Sequence, residues 1–244
     1  MSLCNEVVIN RFLERELNSI PAHHRGVLLD LGCGTQPYRS LYEQRFKQVI
    51  ACDVELRSPL DVRLDVRRLP FRDGTVDVVL LTEVIEHLVE GAGVIGEIGR
   101  VLKPGGRLLI TWPFIYPLHE LPHDYLRYSE FAMQSLAAGG GLAITRLERR
   151  GDLLCVAGTL VEQFVLGSIE LAIRCPWVGP LLSPVRNLLY RTCRWLWMTY
   201  LRMTAGAARL HPCAPGTDVK GVVNHLALWT MGYCACATKS GFRR

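Results

Sequence analysis

With 244 residues, 49% of them hydrophobic and 21% charged, the chain has apolar material for a substantial core, which excludes a disordered polymer. Its net charge of +5 is unevenly placed: residues 1–150 hold 18 basic against 19 acidic side chains, and residues 151–244 hold 10 against 4. Nine scattered cysteines, an odd number, cannot pair fully within one chain; they argue against a disulfide framework and fit a reducing cytoplasm.

The elements follow in chain order. Leu3 to Ile20 carries apolar residues at helical spacing (Val8, Phe12, Leu13, Leu17, Ile20) and Pro21 closes it; Asn5, Glu6, Asn10 and Arg11 break any signal-peptide pattern. Val27–Leu31 is a short apolar strand, and Pro37–Phe46 reads as a helix. Gln48–Cys52 is a second strand ended by Asp53, Leu60–Leu64 a weaker third ended by Asp65, and Val76–Leu81 a strongly apolar fourth. Ala92–Leu102 is a helix, stopped by a turn signal at Lys103-Pro104-Gly105-Gly106. Arg107–Trp112 is a fifth strand, Ser129–Ala138 a helix with Ser129 as its cap, and Leu142–Leu147 a sixth strand. Residues 152–226 form a helical insertion before a last strand, Leu228–Ala237, all within a single domain of residues 1–244. Apolar strands alternating with helices predict an α/β fold whose mostly parallel sheet is covered on both faces.

In such sheets ligands sit beyond the carboxyl ends of the strands, where strand order reverses. The residues that follow each strand therefore carry the functional signal. After the first come Asp30, Gly32, Cys33 and Gly34, whose glycines let the backbone turn tightly against a ligand. The next helix is expected to offer its N-terminal N–H groups to a carboxylate. Asp30 has two readings, a cap on this loop or a direct partner of a cofactor amine. Asp53, about 20 residues on, is placed for ribose hydroxyls. Asp65, followed by Val66 and Leu69-Pro70-Phe71, is placed for an adenine amino group and ring. Thr82-Glu83-Val84-Ile85-Glu86-His87 follows the fourth strand; Glu86 and His87 either face the reacting end of a ligand or only open the helical turn there.

Four segments, DLGCGTQPY, ACDVE, LDVRRLPFRDGTVDVVLLTEVIEHL and RVLKPGGRLLITWPF, in this order and spacing, resemble the signature of class I methyltransferases, in particular the type 11, ubiquinone-biosynthesis-like branch. The resemblance covers roughly Val27 to Phe114. It implies a Rossmann-like seven-stranded sheet and S-adenosyl-L-methionine as cofactor, held at Asp30, Gly32, Cys33, Gly34, Asp53, Asp65, Val66, Thr82 and His87. Gln36 stands where that family usually has a third glycine.

The loop after the fifth strand carries His119-x-x-Pro122-x-Asp124-x-x-Arg127-Tyr128-Ser129, and it should lie over the transferred methyl group. The pattern resembles a sub-branch associated with glycan, cell-surface or natural-product biosynthesis. His119, then His123, are the candidate general bases for an oxygen acceptor; Asp124 either orients a histidine or pairs with Arg127. The acceptor is expected to be a small molecule or glycan-linked group; a lipid or quinone, or a non-catalytic cofactor-binding module, are the alternatives. No metal is expected, since Cys234 and Cys236 lack a second pair, and no nucleic acid, since the loop lacks a base-flipping motif.

Residues 184–204 place Arg186, Arg191, Arg194 and Arg202 on one helical side, with Val185, Leu188, Leu189, Trp195, Leu196 and Met203 mainly on the other. Two fates fit: a helix packed over the sheet or into a homodimer, or one lying on the inner face of a membrane.

Overall fold

The computed structural model describes residues 3–55, 61–173, 177, 179–204 and 230–241. Seven strands, β1 (Val27–Leu31), β2 (Gln48–Asp53), β3 (Val62–Arg63), β4 (Val76–Thr82), β5 (Leu102–Pro113), β6 (Leu142–Arg150) and β7 (Gly232–Lys239), form one sheet in the order β3-β2-β1-β4-β5-β7-β6. β3, β2, β1, β4 and β5 run parallel, and β7 is antiparallel to both β5 and β6. The order reverses between β1 and β4, so the ligand crevice of the fold opens there.

Side-chain alternation explains why both faces are apolar. Leu28, Val78, Leu80 and Leu109 point into one layer with Phe12, Leu13 and Leu17 of helix α1 (Leu3–Asn18). Their neighbours Leu29, Val79, Leu81, Leu108 and Ile110 point into the opposite layer. There they meet Val94, Ile95 and Ile98 of α3 (Gly91–Val101) and Met133 and Ala137 of α4 (Glu130–Gly139). All seven residues of β4 are buried, as a central strand covered on both faces requires. Each such Val, Leu or Ile contributes about 1.5–3 kcal/mol by leaving water.

Three element boundaries differ from the sequence expectation. The helix expected over Pro37–Phe46 is one turn, α2 (Arg39–Tyr42). The chain leaves it because Phe46 must reach the core and β2 begins at Gln48. A single turn has no developed dipole, so the expected helix N-terminal carboxylate site is absent among the described residues. β5 begins at Leu102 and takes up the expected turn as a bulge: it advances from Leu102 to Arg107 while β4 advances only from Val76 to Val78. β3 is two residues long, and Leu60 lies outside the described residues. Ser129 caps α4 as expected, accepting the Ala132 N–H at 3.3 Å.

Before β7 the chain inserts two long helices, α5 (Leu153–Ile173) and α6 (Gly179–Thr204). α5 is long and apolar enough to cross a membrane by length and composition, yet only 24% of its most apolar window is buried in the protein. Along α6, Val185, Leu188, Trp195 and Leu196 are exposed among the described residues. Residues 205–226 of the insertion, Leu228 of the expected last strand, and the side chains of Arg194, Arg202 and Met203 lie outside the described residues.

Candidate functional site

The loop after β1 turns on two left-handed glycines, Gly32 (φ 69°) and Gly34 (φ 52°). A Cβ at Gly32 would sit 2.4 Å from Val84, so both conformation and space demand glycine there. At Gly34 a Cβ would meet nothing within 4 Å, so the loop faces open space there. Gln36, also left-handed (φ 56°), adopts the geometry a glycine would take. Its buried side chain accepts a hydrogen bond from Arg39 at 2.5 Å, which holds the turn despite a backbone penalty of about 1–2 kcal/mol.

Asp53 at the end of β2 accepts the Gly34 N–H at 2.8 Å and the Glu55 N–H at 3.0 Å. The Gly32 and Cys33 N–H groups go to the Cys52 carbonyl. With the loop donors so used, Asp30 does not cap this loop, and that reading is corrected. Asp30 shares the alternation of Leu28 and faces α2, where the Tyr42 hydroxyl donates to it at 2.5 Å. Burial pushes the Asp30 carboxyl up to about 6. Burial likewise raises the Cys33 thiol to about 12, so Cys33 is a neutral hydrophobe in the loop. Asp65 is turned toward Arg67, whose guanidinium reaches both its oxygens at 2.5–3.0 Å and holds the carboxyl below its usual range. Val66 and Leu69 beside it are buried, and Phe71 packs on the same core.

The end of β4 and the loop after β5 meet in a second cluster. Thr82 ends β4, and a short 3-10 turn, Ile85–His87, follows. The Glu86 carbonyl accepts the Tyr125 and Leu126 N–H groups, which pins the loop onto this turn. The Glu86 side chain is fully buried, and neither carboxylate oxygen has a hydrogen-bond partner. Its Oε1 lies 3.7 Å from Nε2 of both His87 and His119. Burial pushes the Glu86 carboxyl up, and the neighbouring Glu86 raises the His119 imidazole.

Of the two readings of Asp124, the structure shows the pair with Arg127. Arg127 grips its oxygens at 2.5 and 2.7 Å, and the guanidinium holds the carboxyl far below its usual range. The same carboxylate accepts the His119 backbone N–H at 3.0 Å and lies 3.0 Å from its Nδ1. That second approach is electrostatic, without the alignment of a hydrogen bond. The His123 ring stays outside the cluster, exposed, with Nδ1 2.9 Å from the Tyr125 hydroxyl; only its backbone carbonyl takes part, 2.8 Å from Nδ1 of His87.

Two residues of this region were not picked out from the sequence as site residues. Glu83, at φ 54°, binds the Thr111 hydroxyl at 2.8 Å and the fully buried Arg150 at 3.0 Å. Arg150 also donates to the Trp112 carbonyl at 2.7 Å, tying the ends of β4, β5 and β6 together. The acidic run after the fourth strand was visible in the sequence; its pairing with an arginine at the end of the sixth was not.

Comparison with known proteins places the chain. The methyltransferase-domain family matches residues 29–110, which include the glycine loop, Asp53, Asp65 and the Glu86–His87 turn. A demethylmenaquinone methyltransferase of Paenarthrobacter aurescens is 32% identical over 121 residues, covering 46% of this chain and 47% of that protein. An uncharacterised methyltransferase of Mycobacterium tuberculosis is 36% identical over 108 residues, covering 38% of this chain and 42% of that protein. The chain thus spans about half the length of the curated relatives it matches or less. In fold it is similar to a putative sarcosine dimethylglycine methyltransferase from Galdieria sulphuraria, at 18% identity and a TM-score of 0.57, with 96% of this chain and 85% of that one covered. Residues 29–110 thus carry the similarity to the methyltransferase-domain family, and the strand order and the residues at the strand ends agree with it.

Proposed function

We propose that this protein transfers a methyl group from S-adenosylmethionine to an oxygen of a small-molecule or glycan-linked acceptor. The observation that carries this reading is the buried Glu86 carboxylate with two histidine nitrogens turned to it, under a loop pinned at the carboxyl end of the sheet. The residues around the glycine loop fit the cofactor: Gly34 leaves open space in front of the loop, and each Asp53 oxygen that takes a backbone N–H keeps a second lone pair for a ribose hydroxyl. We assign Asp65 and Val66 to the adenine side of the crevice, and Thr82 and His87 to its methionine side. When bound, the cofactor supplies a methyl group already activated on a sulfonium.

The chain's own residues then have two tasks. The first is alignment, because an in-line displacement needs the acceptor atom held against the methyl carbon. The loop from Phe114 to Tyr128 does this, fixed by the Glu86 carbonyl and by the Asp124–Arg127 pair. The second is removal of the acceptor proton. An acceptor hydroxyl held at the Glu86–His119 cluster is activated there for loss of its proton. Incubating purified protein with methyl-labelled cofactor and candidate hydroxylated acceptors tests the reading. Label released as a methyl ether or ester is the expected product; label found only on nitrogen or carbon overturns the oxygen assignment.

A cytoplasmic protein resting on the inner face of a membrane is favoured by the α5–α6 pair. Phe164, Leu188, Trp195 and Leu196 are each more than half exposed, and a cleft of about 580 Å³ between the helices is lined by Val161, Val165, Leu166, Leu189 and Leu196. Apolar side chains beside an arginine-rich stretch suit an anionic lipid surface. Sedimentation with anionic vesicles at low salt is expected, and lost in Leu188→Glu/Trp195→Glu; wild-type protein that stays in the supernatant contradicts the membrane contact, and a concentration-dependent dimer there assigns the face to a second copy.

A further inference from the structure

We infer that Glu86, His87 and His119 form a binding site for one divalent first-row transition-metal ion of the zinc class, against the sequence expectation of none. One carboxylate oxygen and one nitrogen from each ring lie within 4.8 Å of one another. The 3.7 Å separations from Glu86 Oε1 to the two Nε2 atoms are close to the edge of about 3.4 Å that a tetrahedron with bonds of about 2.1 Å would have. Small side-chain rotations close the difference.

The surroundings of the cluster point the same way as the distances. Nδ1 of His87 lies 2.8 Å from a backbone carbonyl, which can only accept; Nδ1 therefore carries the hydrogen and Nε2 a lone pair. Nδ1 of His119 lies 3.0 Å from the Asp124 carboxylate, an electrostatic approach without the alignment of a hydrogen bond. Nε2 of each ring lies 3.7 Å from Oε1 of Glu86, a carboxylate with no exposed surface and no hydrogen-bond donor on either oxygen. A divalent cation at this point would engage all three groups at once.

Metal-ligating histidines characteristically hold their second nitrogen against a carbonyl or carboxylate, and both histidines here do so. Asp124 is itself anchored by Arg127, so the outer support is complete. Glu83, three residues before Glu86, is taken by Arg150 and Thr111 and is not a ligand. Glu120 reaches to 3.9 Å from His87 Nε2 on the exposed side and marks the entrance. Two imidazoles with one carboxylate suit zinc, cobalt or manganese better than the all-oxygen preference of calcium or magnesium.

Resting on the methyltransferase reading, the cation deepens it by naming an acceptor class. Three protein ligands leave a fourth position open, and a fifth where the ion expands its shell, which fits an acceptor hydroxyl with a second oxygen on the neighbouring carbon, as in a vicinal diol, a catechol or a 2-hydroxy acid. The hydroxyl's O–H bond breaks with its proton passing to solvent past Glu120, its oxygen pair forms the new C–O bond, and the sulfonium's C–S pair returns to sulfur.

The test uses chelator-treated full-length protein titrated with Co²⁺, read by its visible absorption, and with Zn²⁺, read by calorimetry. One ion per chain is expected, with at least tenfold weaker binding in Glu86→Gln and in His119→Ala. Thermal unfolding of the apo proteins shows that the variants fold, and Zn²⁺ should raise the midpoint of wild type alone. No Co²⁺ spectrum, or equal affinity in wild type and Glu86→Gln, overturns the site. Full methyl transfer by chelated protein overturns the cation's part in catalysis and leaves the methyltransferase reading intact. Metal binding without any S-adenosylhomocysteine binding keeps the site and removes the reading on which its acceptor class rests.

Discussion

Replacing Arg150 with alanine is expected to cost the fold about 3–5 kcal/mol, the usual loss when one partner of a buried ion pair is removed. Arg150 is wholly buried and joins Glu83 at 3.0 Å to the Trp112 carbonyl at 2.7 Å, so its removal strands a largely buried carboxylate and a main-chain acceptor. Its Nε and Nη1 atoms find no partner, so the arrangement is not an optimised one. The double variant Arg150→Met/Glu83→Gln, which removes both charges, should therefore recover much of the loss. Urea unfolding measures both. A single variant within 1 kcal/mol of wild type would show that the pair contributes little, against the magnitude expected for buried charges.

His119→Ala is expected to slow methyl transfer by about 10²- to 10⁴-fold, the range for losing a positioned proton-handling group. The affinity for S-adenosylhomocysteine should stay within about twofold, because His119 belongs to the loop after β5 and the nucleoside crevice lies between β1 and β4. Single-turnover measurements at saturating cofactor separate the two quantities. An unchanged rate would remove the Glu86–His119 cluster from the chemistry.

Most of the scaffold was legible because it rests on local rules. The alternation of Val78 and Leu80 with Val79 and Leu81 announces a strand buried on both faces, and Gly32 sits where only glycine fits. Asp53 was legible by its place at a strand end. What local rules miss is what long-range packing decides. The segment after Gln36 has helical residues, but β2 starts too soon for a full helix. Asp65 has a partner two residues away, Arg67, that no strand-end argument weighs. Glu83 and Arg150 are 67 positions apart, and their pairing follows from the antiparallel return of β7 between β5 and β6. Glu86 looked like the start of a helical turn; its burial comes from a loop some 40 residues away folding over it.

Calorimetric titration with S-adenosylhomocysteine, comparing wild type with Asp53→Asn and Asp53→Ala, tests the placement of the cofactor most directly. Asparagine keeps an oxygen for the Gly34 N–H, so the loop survives while the charged acceptor for the ribose is lost. Both variants are expected to bind more weakly by about 1–3 kcal/mol, or roughly 5- to 150-fold, with alanine the weaker. Undiminished affinity in both would mean that the nucleoside does not lie against the end of β2, contradicting the site from which the acceptor geometry was built.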